Sequence, residues 1–149
     1  TFGNESTYAY EVRADEQVEA IMGKAGEYTI KVAYMTQPLK RLAAETPLVE
    51  ETSYNVINPG NEPAYPKLVI TGAGVKTVTI GTQTITISFA TLGETITIDA
   101  LNGQIYDDDG NNAWNKVTGD LPMIPVSTSA ITISTTASAL TVYPNWRWS

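Results

Sequence analysis

Most of the chain after residue 52 consists of short segments in which apolar residues alternate with threonine or serine. This alternation puts the apolar side chains on one face of an extended chain and the hydroxyl side chains on the other, as in a half-buried strand. The segments 84–89 and 95–99, with alternating threonine and isoleucine, are examples. A helix cannot bury such a pattern on one face, because its side chains repeat about every 3.6 residues. The pattern therefore predicts a domain built from β-strands.

The alternating segments and the turn residues between them favour one architecture. The predicted strands are 53–57, 68–71, 75–80, 84–89, 95–99, 130–134 and 139–143. Turns are predicted at Gly72-Ala73-Gly74 and Leu92-Gly93, and Asn102-Gly103 is the strongest hairpin signal, because a type I′ turn needs positive φ at both positions. Short, evenly spaced strands favour an antiparallel β-sandwich in which one face of each sheet is buried.

The first forty residues have a different pattern. Alternation over 6–13 and 27–36 predicts two strands. Between them, residues 14–22 are rich in Glu, Gln and Ala, with apolar residues at helical spacing, and Gly23 follows where a helix commonly ends. We therefore expect a mostly β protein, an antiparallel galectin-like or jelly-roll-like sandwich, preceded by a short strand-helix-strand segment.

A connecting stretch over residues 37–52 separates these two parts. Pro38 and Pro47 interrupt it, and Glu45, Glu50 and Glu51 are expected to keep it solvated. The predicted division is therefore an N-terminal unit over residues 1–40, a linker over 41–52 and the sandwich over 53–149.

Catalysis and nucleic acid binding are disfavoured by composition. The 149 residues include no histidine and no cysteine, which excludes Ser-His-Asp triads, imidazole-based zinc sites and thiol nucleophiles from this chain. The net charge of −7 disfavours a nucleic acid partner, and no apolar run approaches the roughly 20 residues that span a bilayer. Asp99 and Asp120 are the best carboxylates for a glycosidase pair, but both occupy ordinary turn positions. We expect no catalytic residues, no cofactor, no nucleic acid partner and no membrane partner.

An acidic run at 107–112 has two interpretations. Its Asp and Asn residues supply the oxygen ligands that calcium prefers. Aligned to an EF-hand loop, however, Ile105 falls on the first ligand position and Lys116 on the bidentate one, which excludes that loop type. The interpretation as a solvated turn is favoured over a looser oxygen site, because Asp, Asn and Gly tolerate turn geometry. No metal site is predicted.

Aromatic side chains are the remaining candidates for a binding surface. Flat apolar ring faces stack on sugar rings and also anchor protein interfaces. Trp146 and Trp148 lie two residues apart and share a face of an extended chain; they are favoured to close the open end of the sandwich or to dock on a neighbouring domain or subunit. The candidates for contact with a glycan or another subunit are Tyr106, Trp114, Tyr143, Trp146 and Trp148.

Three motifs occur in a recognisable order. They are Asn-Pro-Gly-Asn-Glu-Pro-Ala-Tyr-Pro at 58–66, Gly-Asp-Leu-Pro at 119–122 and Tyr-Pro-Asn-Trp-Arg-Trp at 143–148. Residues 53–149 thereby resemble the C-terminal half of the distal tail proteins of siphophages and related prophages, although Leu121 stands where that family more usually has an aromatic residue.

The resemblance implies a structural virion protein of two domains. The N-terminal domain of that family forms a hexameric ring that connects the tail tube to the baseplate, and residues 1–40 would be its last part. The C-terminal domain is a galectin-like β-sandwich similar to carbohydrate-binding modules. The implied function is a non-enzymatic hub of the tail or baseplate, made in the bacterial host cytoplasm, with other tail proteins as partners. The alternative function is a carbohydrate-binding module that contacts host cell-wall polysaccharide.

Overall fold

The computed structural model describes residues 8–22, 28–42, 46–48 and 52–149. A 3₁₀ turn spans Trp114–Lys116, and no helix among the described residues is long and apolar enough to cross a membrane. The strands are β1 (Tyr8–Met22), β2 (Tyr28–Leu42), β3 (Ser53–Val56), β4 (Lys67–Ile80), β5 (Gln83–Asp99), β6 (Gln104–Asp107), β7 (Val117–Thr118), β8 (Ile131–Thr135), β9 (Ala139–Tyr143) and β10 (Arg147–Trp148).

The pair formed by β4 and β5 is the centre of a seven-stranded antiparallel sheet with the order β3-β8-β4-β5-β6, to which β9 adds beside β4 and β7 beside β5. The pairing runs from Lys67 opposite Asp99 to Ile80 opposite Gln83. Each outer strand accompanies only half of this pair. Strands β9 and β6 lie beside the half that contains Lys67, while β8 and β7 lie beside the half near the hairpin turn.

The two halves meet at an irregularity between Gly72 and Gly74. Gly72 pairs with Glu94 and Gly74 pairs with Phe89, so residues 90–93 bulge from β5. A Cβ atom on Gly72 would lie 2.8 Å from the Phe89 ring, so the ring packs directly on the Gly72 backbone. The predictions of chain-reversing turns at 72–74 and 92–93 were therefore wrong, because both segments lie inside continuous strands at this bulge.

One apolar core joins the two halves. Leu68 and Ile98 come from one half, Val78 and Ile85 from the other, and all four belong to a single buried cluster. The Tyr54 hydroxyl of β3 also donates a buried hydrogen bond of 2.6 Å to the Leu140 carbonyl of β9. Because the apolar faces of both halves enclose the same core, the predicted antiparallel β-sandwich is confirmed.

The hairpin between β5 and β6 has a longer turn than expected. Asp99 pairs with Gln104, which leaves residues 100–103 as the loop. Gly103 has a φ of 63°, but Asn102 is not among the described residues with positive φ, so the predicted type I′ turn was wrong. Instead, the Asn102 backbone N–H and side-chain amide donate to the Asp99 carboxylate at 3.1 and 2.8 Å. The Asp99 side chain thus accepts hydrogen bonds in this turn, where the tighter turn would use a backbone carbonyl.

The predicted helix over 14–22 was also wrong. Strand β1 continues through that segment to Met22 and pairs with β2 from Tyr8 opposite Leu42 to Met22 opposite Tyr28. The partner strand offers backbone hydrogen bonds that outweigh the helical spacing of the apolar residues. A register irregularity between Ala14 and Val18 lets the pairing continue.

The limits of the predicted linker are only partly described. Strand β2 extends to Leu42, two residues into that linker, and Pro38 lies within the strand, so the expected interruption there was wrong. The predicted helix end at Gly23 and the linker residues Glu45, Glu50 and Glu51 lie outside the described residues. The division of the chain into two domains stays a prediction.

The burial pattern predicts that truncating a buried side chain lowers the free energy of unfolding far more than truncating an exposed one. Ile98 is fully buried and pairs with Leu68 and Ile105 on its two sides. We expect Ile98→Ala to lower the free energy of unfolding by about 2–5 kcal/mol, because it removes buried methyl groups and leaves a cavity. Chemical denaturation measures this. The control is Val75→Ala, at a side chain that is 68% exposed, for which we expect a change within about 0.5 kcal/mol; equal losses would contradict the core assignment.

Candidate functional site

The first and last of the three ordered motifs meet in space. Glu62 forms an antiparallel bridge with Arg147. The Ser149 backbone N–H donates to the Asn61 side-chain oxygen at 2.8 Å, and the Asn61 amide donates back to the Ser149 hydroxyl at 3.0 Å. We call this contact between residues 58–66 and 143–149 the terminal junction.

Asn58 organises the first side of the terminal junction. Its side chain is buried, with 4% exposure. Its oxygen accepts the Gly60 N–H at 2.9 Å, and its amide donates to the carbonyls of Glu62 at 3.0 Å and Ile124 at 3.4 Å. A buried amide that is satisfied on both ends holds the turn in one shape.

The second side of the terminal junction, residues 143–149, approaches the Gly60 backbone too closely for a side chain at that position. A Cβ atom on Gly60 would overlap the carbonyl oxygen of Arg147. The Arg147 guanidinium lies over the Tyr65 ring, 5.1 Å from its centroid. Asn145 adopts a φ of 56°, which asparagine tolerates better than most residues, and its amide donates to the Tyr65 carbonyl at 2.9 Å. The chain end is therefore held by backbone shape and by side-chain contacts together.

Strand β10 connects the sandwich to the N-terminal hairpin. On one side Arg147 bridges Glu62 of the sandwich. On the other side Arg147 and Trp148 pair with Arg41 and Lys40 of β2, in a three-stranded sheet with the order β1-β2-β10. Two parts of the chain that the sequence predicts as separate units are thus linked by the last strand.

Two of the five aromatic candidates come together. Tyr106 and Trp114 line an open groove of about 240 Å³, together with Gln104, Ile105, Gly110 and Asn112. Trp114 is 44% exposed. Backbone bonds bring the two aromatic positions together, because Tyr106 bridges Asn112 and the Ala113 N–H donates to the Ile105 carbonyl at 3.0 Å. We call this the aromatic groove.

The other three candidates lie elsewhere. Tyr143 is on β9, which is separated from β6 by β4 and β5, and the Lys67 ammonium lies 5.8 Å from its ring centroid. Trp146 is partly buried against the core cluster, and Trp148 belongs to β10 beside the hairpin. The predicted roles of these two tryptophans, closing the sandwich or docking on a neighbour, stay predictions.

The acidic run at 107–112 forms a tight turn beside the aromatic groove. One Asp107 carboxylate oxygen accepts the backbone N–H groups of Asp109 at 3.1 Å and Asn111 at 2.8 Å. These bonds, that from Asn111 above all, hold the pKa of Asp107 below its usual value. Among the described residues, no group of three or more acidic side chains has a metal-binding arrangement.

The bulge in β5 is held by a second carboxylate. Glu94 forms an ion pair with Lys116, and its other oxygen accepts the backbone N–H groups of Ala90 at 2.6 Å and Thr91 at 3.3 Å. The bond from Lys116 is the main cause that keeps the pKa of Glu94 below its usual value of 4.5. This arrangement presents Leu92, which is 89% exposed.

The carboxylates considered for catalysis occupy the structural positions expected of them. Asp99 is buried at the end of β5, where it accepts hydrogen bonds from Asn102. Asp120 is exposed in the loop that follows β7.

Sequence reasoning missed the polar residues of the aromatic groove. Gln104 and Asn112 flank the two aromatic residues there. The available signal was the alternation of 104–107 after an Asn-Gly pair, which would have predicted β6 opposite β5 and placed Gln104 and Tyr106 on one face.

The terminal junction yields a prediction about Gly60. We expect Gly60→Ala to lower the free energy of unfolding by about 1–3 kcal/mol, because the added methyl group must push β10 away. Amide hydrogen exchange at Arg147 and Ser149 should accelerate more than exchange in β4 and β5. Pro59→Ala, at an exposed neighbour in the same turn, is the control; unchanged protection of the chain end in Gly60→Ala would contradict the close contact.

The Glu94 ion pair yields a pH prediction. A carboxylate whose pKa is lowered by folding stabilises the native state fully above its ordinary pKa and loses that contribution as the pH falls through the lowered value. We therefore expect the wild-type unfolding midpoint to drop more steeply below about pH 4.5 than that of Glu94→Gln. Denaturant titrations at several pH values measure this, with the exposed Asp120→Asn as control. Parallel pH profiles for wild type and Glu94→Gln would show that the pair contributes nothing.

Comparison with known proteins identifies the fold. No protein-family model matches the chain, and no curated protein matches it significantly. Among solved structures, the chain is similar to the crystal structure of the phage SPP1 Dit (gp 19.1) protein, described as a paradigm of the hub adsorption apparatus in phages that infect Gram-positive bacteria. The TM-score is 0.71 at 16% sequence identity, and the likeness covers 99% of this chain. The chain spans 63% of the length of that protein. The expected resemblance is therefore confirmed at the level of the fold.

Proposed function

We propose that the chain is a structural component of a phage or prophage tail, located at the distal tail or baseplate hub that links the tail tube to the host-adhesion apparatus. The observation that carries this proposal is the likeness to SPP1 Dit over 99% of the chain, with a TM-score of 0.71. The three ordered motifs also support it through the resemblance of residues 53–149 to distal tail proteins, and two of these motifs build the terminal junction. The proposal requires no catalytic step.

Within this proposal, the two parts of the chain have different roles. Residues 1–40 form the last part of a ring-forming domain, residues 41–52 are the linker and residues 53–149 are the sandwich. The whole protein assembles as a hexameric ring with other tail and baseplate proteins as partners, and is made in the bacterial host cytoplasm before it enters the virion. The pairing of β10 with β2 supports a direct connection between the ring-forming part and the sandwich, since backbone hydrogen bonds between the two parts resist their separation.

Immunogold electron microscopy of particles from a bacterium that encodes the chain tests the location. We expect gold label from antibodies against the chain at the tip of the tail, with antibodies against the tail-tube protein labelling the shaft as control. Absence of the chain from purified particles, or label on the capsid or along the shaft, would contradict the proposal.

A second candidate function is the binding of host cell-wall glycan. The specific observation that favours it is the aromatic groove, in which Tyr106 and Trp114 remain accessible. The two functions are compatible, since a hub at the tail tip lies close to the cell surface during adsorption.

A further inference from the structure

We propose that the aromatic groove binds a neutral pyranose sugar of a polysaccharide, with Trp114 as the stacking surface and Gln104, Tyr106 and Asn112 as hydrogen-bonding groups. This inference rests on the second candidate function, which it narrows to one site and one class of glycan. It does not depend on the location of the chain in a phage tail.

The polar groups of the groove have spare hydrogen-bonding capacity. Gln104 is exposed, and within the part of the chain that the structure describes neither its side-chain amide nor the Tyr106 hydroxyl has a hydrogen-bond partner. Asn112 uses its side-chain oxygen to accept the Trp114 backbone N–H at 3.0 Å, which leaves its NH₂ group available. The groove thus offers an amide donor and acceptor, a hydroxyl and a second amide donor. Sugar hydroxyls need this mixture, because each can donate and accept.

The apolar part of the groove is suited to the face of a sugar ring. Trp114 stays 44% exposed although the sandwich encloses an extensive apolar core. The 3₁₀ turn and the bond from the Trp114 backbone N–H to the Asn112 side chain fix the backbone at this position, from which the exposed indole lines the groove. A flat ring beside unpaired polar groups matches the C–H face and the hydroxyl edge of a pyranose.

The charges around the groove select against an anionic ligand. None of the six residues that line it is charged. Asp108 and Asp109 lie in the adjoining turn, and the ammonium of Lys116, the nearest cation along the chain, is engaged by Glu94. A phosphate-rich polymer would meet negative charge without a compensating cation, whereas a neutral polymer would not.

The groove is formed before any ligand arrives. The Asp107 N–H donates to the Asn111 carbonyl at 3.0 Å, the Gly110 N–H donates to the Asp107 carbonyl at 3.0 Å, and the Asp107 carboxylate closes the same turn. Strand β6 anchors one wall through its pairing with β5. Binding would therefore require little ordering of the backbone, which lowers its entropic cost.

The test uses the full chain with three soluble probes: a neutral β-glucan, a neutral N-acetylglucosamine oligomer and poly(glycerol phosphate). Isothermal titration calorimetry should show saturable binding of at least one neutral probe and none of poly(glycerol phosphate). In ¹H–¹⁵N spectra, the Trp114 indole and Gln104 side-chain amide signals should shift, while the Trp146 indole signal should not.

Variants separate the groove from the rest of the surface. We expect Trp114→Ala to weaken neutral-probe binding at least about tenfold, as truncation of an aromatic anchor does. Gln104→Ala changes an exposed side chain without a partner, so it should weaken binding while leaving the thermal unfolding midpoint unchanged. Leu92→Ala is the matched control, since Leu92 is exposed but does not line the groove.

Each other outcome overturns the inference in a distinguishable way. Binding of poly(glycerol phosphate) alone would reject a sugar ligand and indicate an anionic polymer instead. Neutral-probe binding that survives both Trp114→Ala and Gln104→Ala would place the site elsewhere. No binding of any probe would reject both the site and the second candidate function, and immunogold label at the tail tip would then leave the tail proposal intact.

Discussion

The long pairing between β4 and β5 is the interaction on which the rest of the structure depends. Both strands pass through both halves of the sandwich, so one hydrogen-bonded pair supplies the centre of each half. The bulge in β5 lets the pair continue from one half into the other. At this point the Phe89 ring occupies the space that a side chain at Gly72 would need. All other strands of this sheet except β3 pair directly with β4 or β5.

The aromatic groove and the terminal junction both depend on the β4–β5 pair. Both lie at the half of the sandwich that contains Lys67. Strand β6 pairs with β5 and forms one wall of the aromatic groove. Strand β9 pairs with β4 and leads through Asn145 into β10 and the terminal junction. A region suited to ligand binding and a region that connects to the N-terminal hairpin thus lie at opposite edges of one sheet. This separation lets the protein keep a structural linkage while it exposes a groove.

The terminal junction gives a physical reason for the residues of the first and last sequence motifs. The Asn-Pro-Gly-Asn segment needs a glycine because Arg147 approaches its backbone, and it needs Asn58 because the turn encloses a buried amide. The closing Trp-Arg-Trp segment supplies a tryptophan to the core and an arginine to the Tyr65 ring. Two motifs that are far apart in sequence are therefore two sides of one contact.

The predictions from sequence succeeded where a local pattern has only one stable outcome. Alternating isoleucine and threonine over 84–89 predicted a strand with the correct buried face, because the strand period is two and the wrong face would expose isoleucine. Over 95–99 the strand was predicted correctly and Ile96 and Ile98 are buried, but Thr97 on the opposite face is buried too. The predictions failed where a distant partner decides the outcome. Residues 14–22 have the spacing of a helix, yet pairing with β2 makes them a strand. Gly72 and Gly74 were interpreted as a chain reversal, yet the partner strand continues past them.

The amino-acid sequence by itself determined the fold class, the buried face of most central strands and the lack of histidine and thiol chemistry, since each follows from residue type and local period. Only the tertiary structure decided which aromatic residues share a surface. Tyr106 and Trp114 lie in one groove because backbone bonds between 105–107 and 111–113 close a tight turn. Tyr143 is excluded from that groove because two strands separate β9 from β6. Strand order and register determine these distances, and both depend on hydrogen bonds between segments remote in the chain.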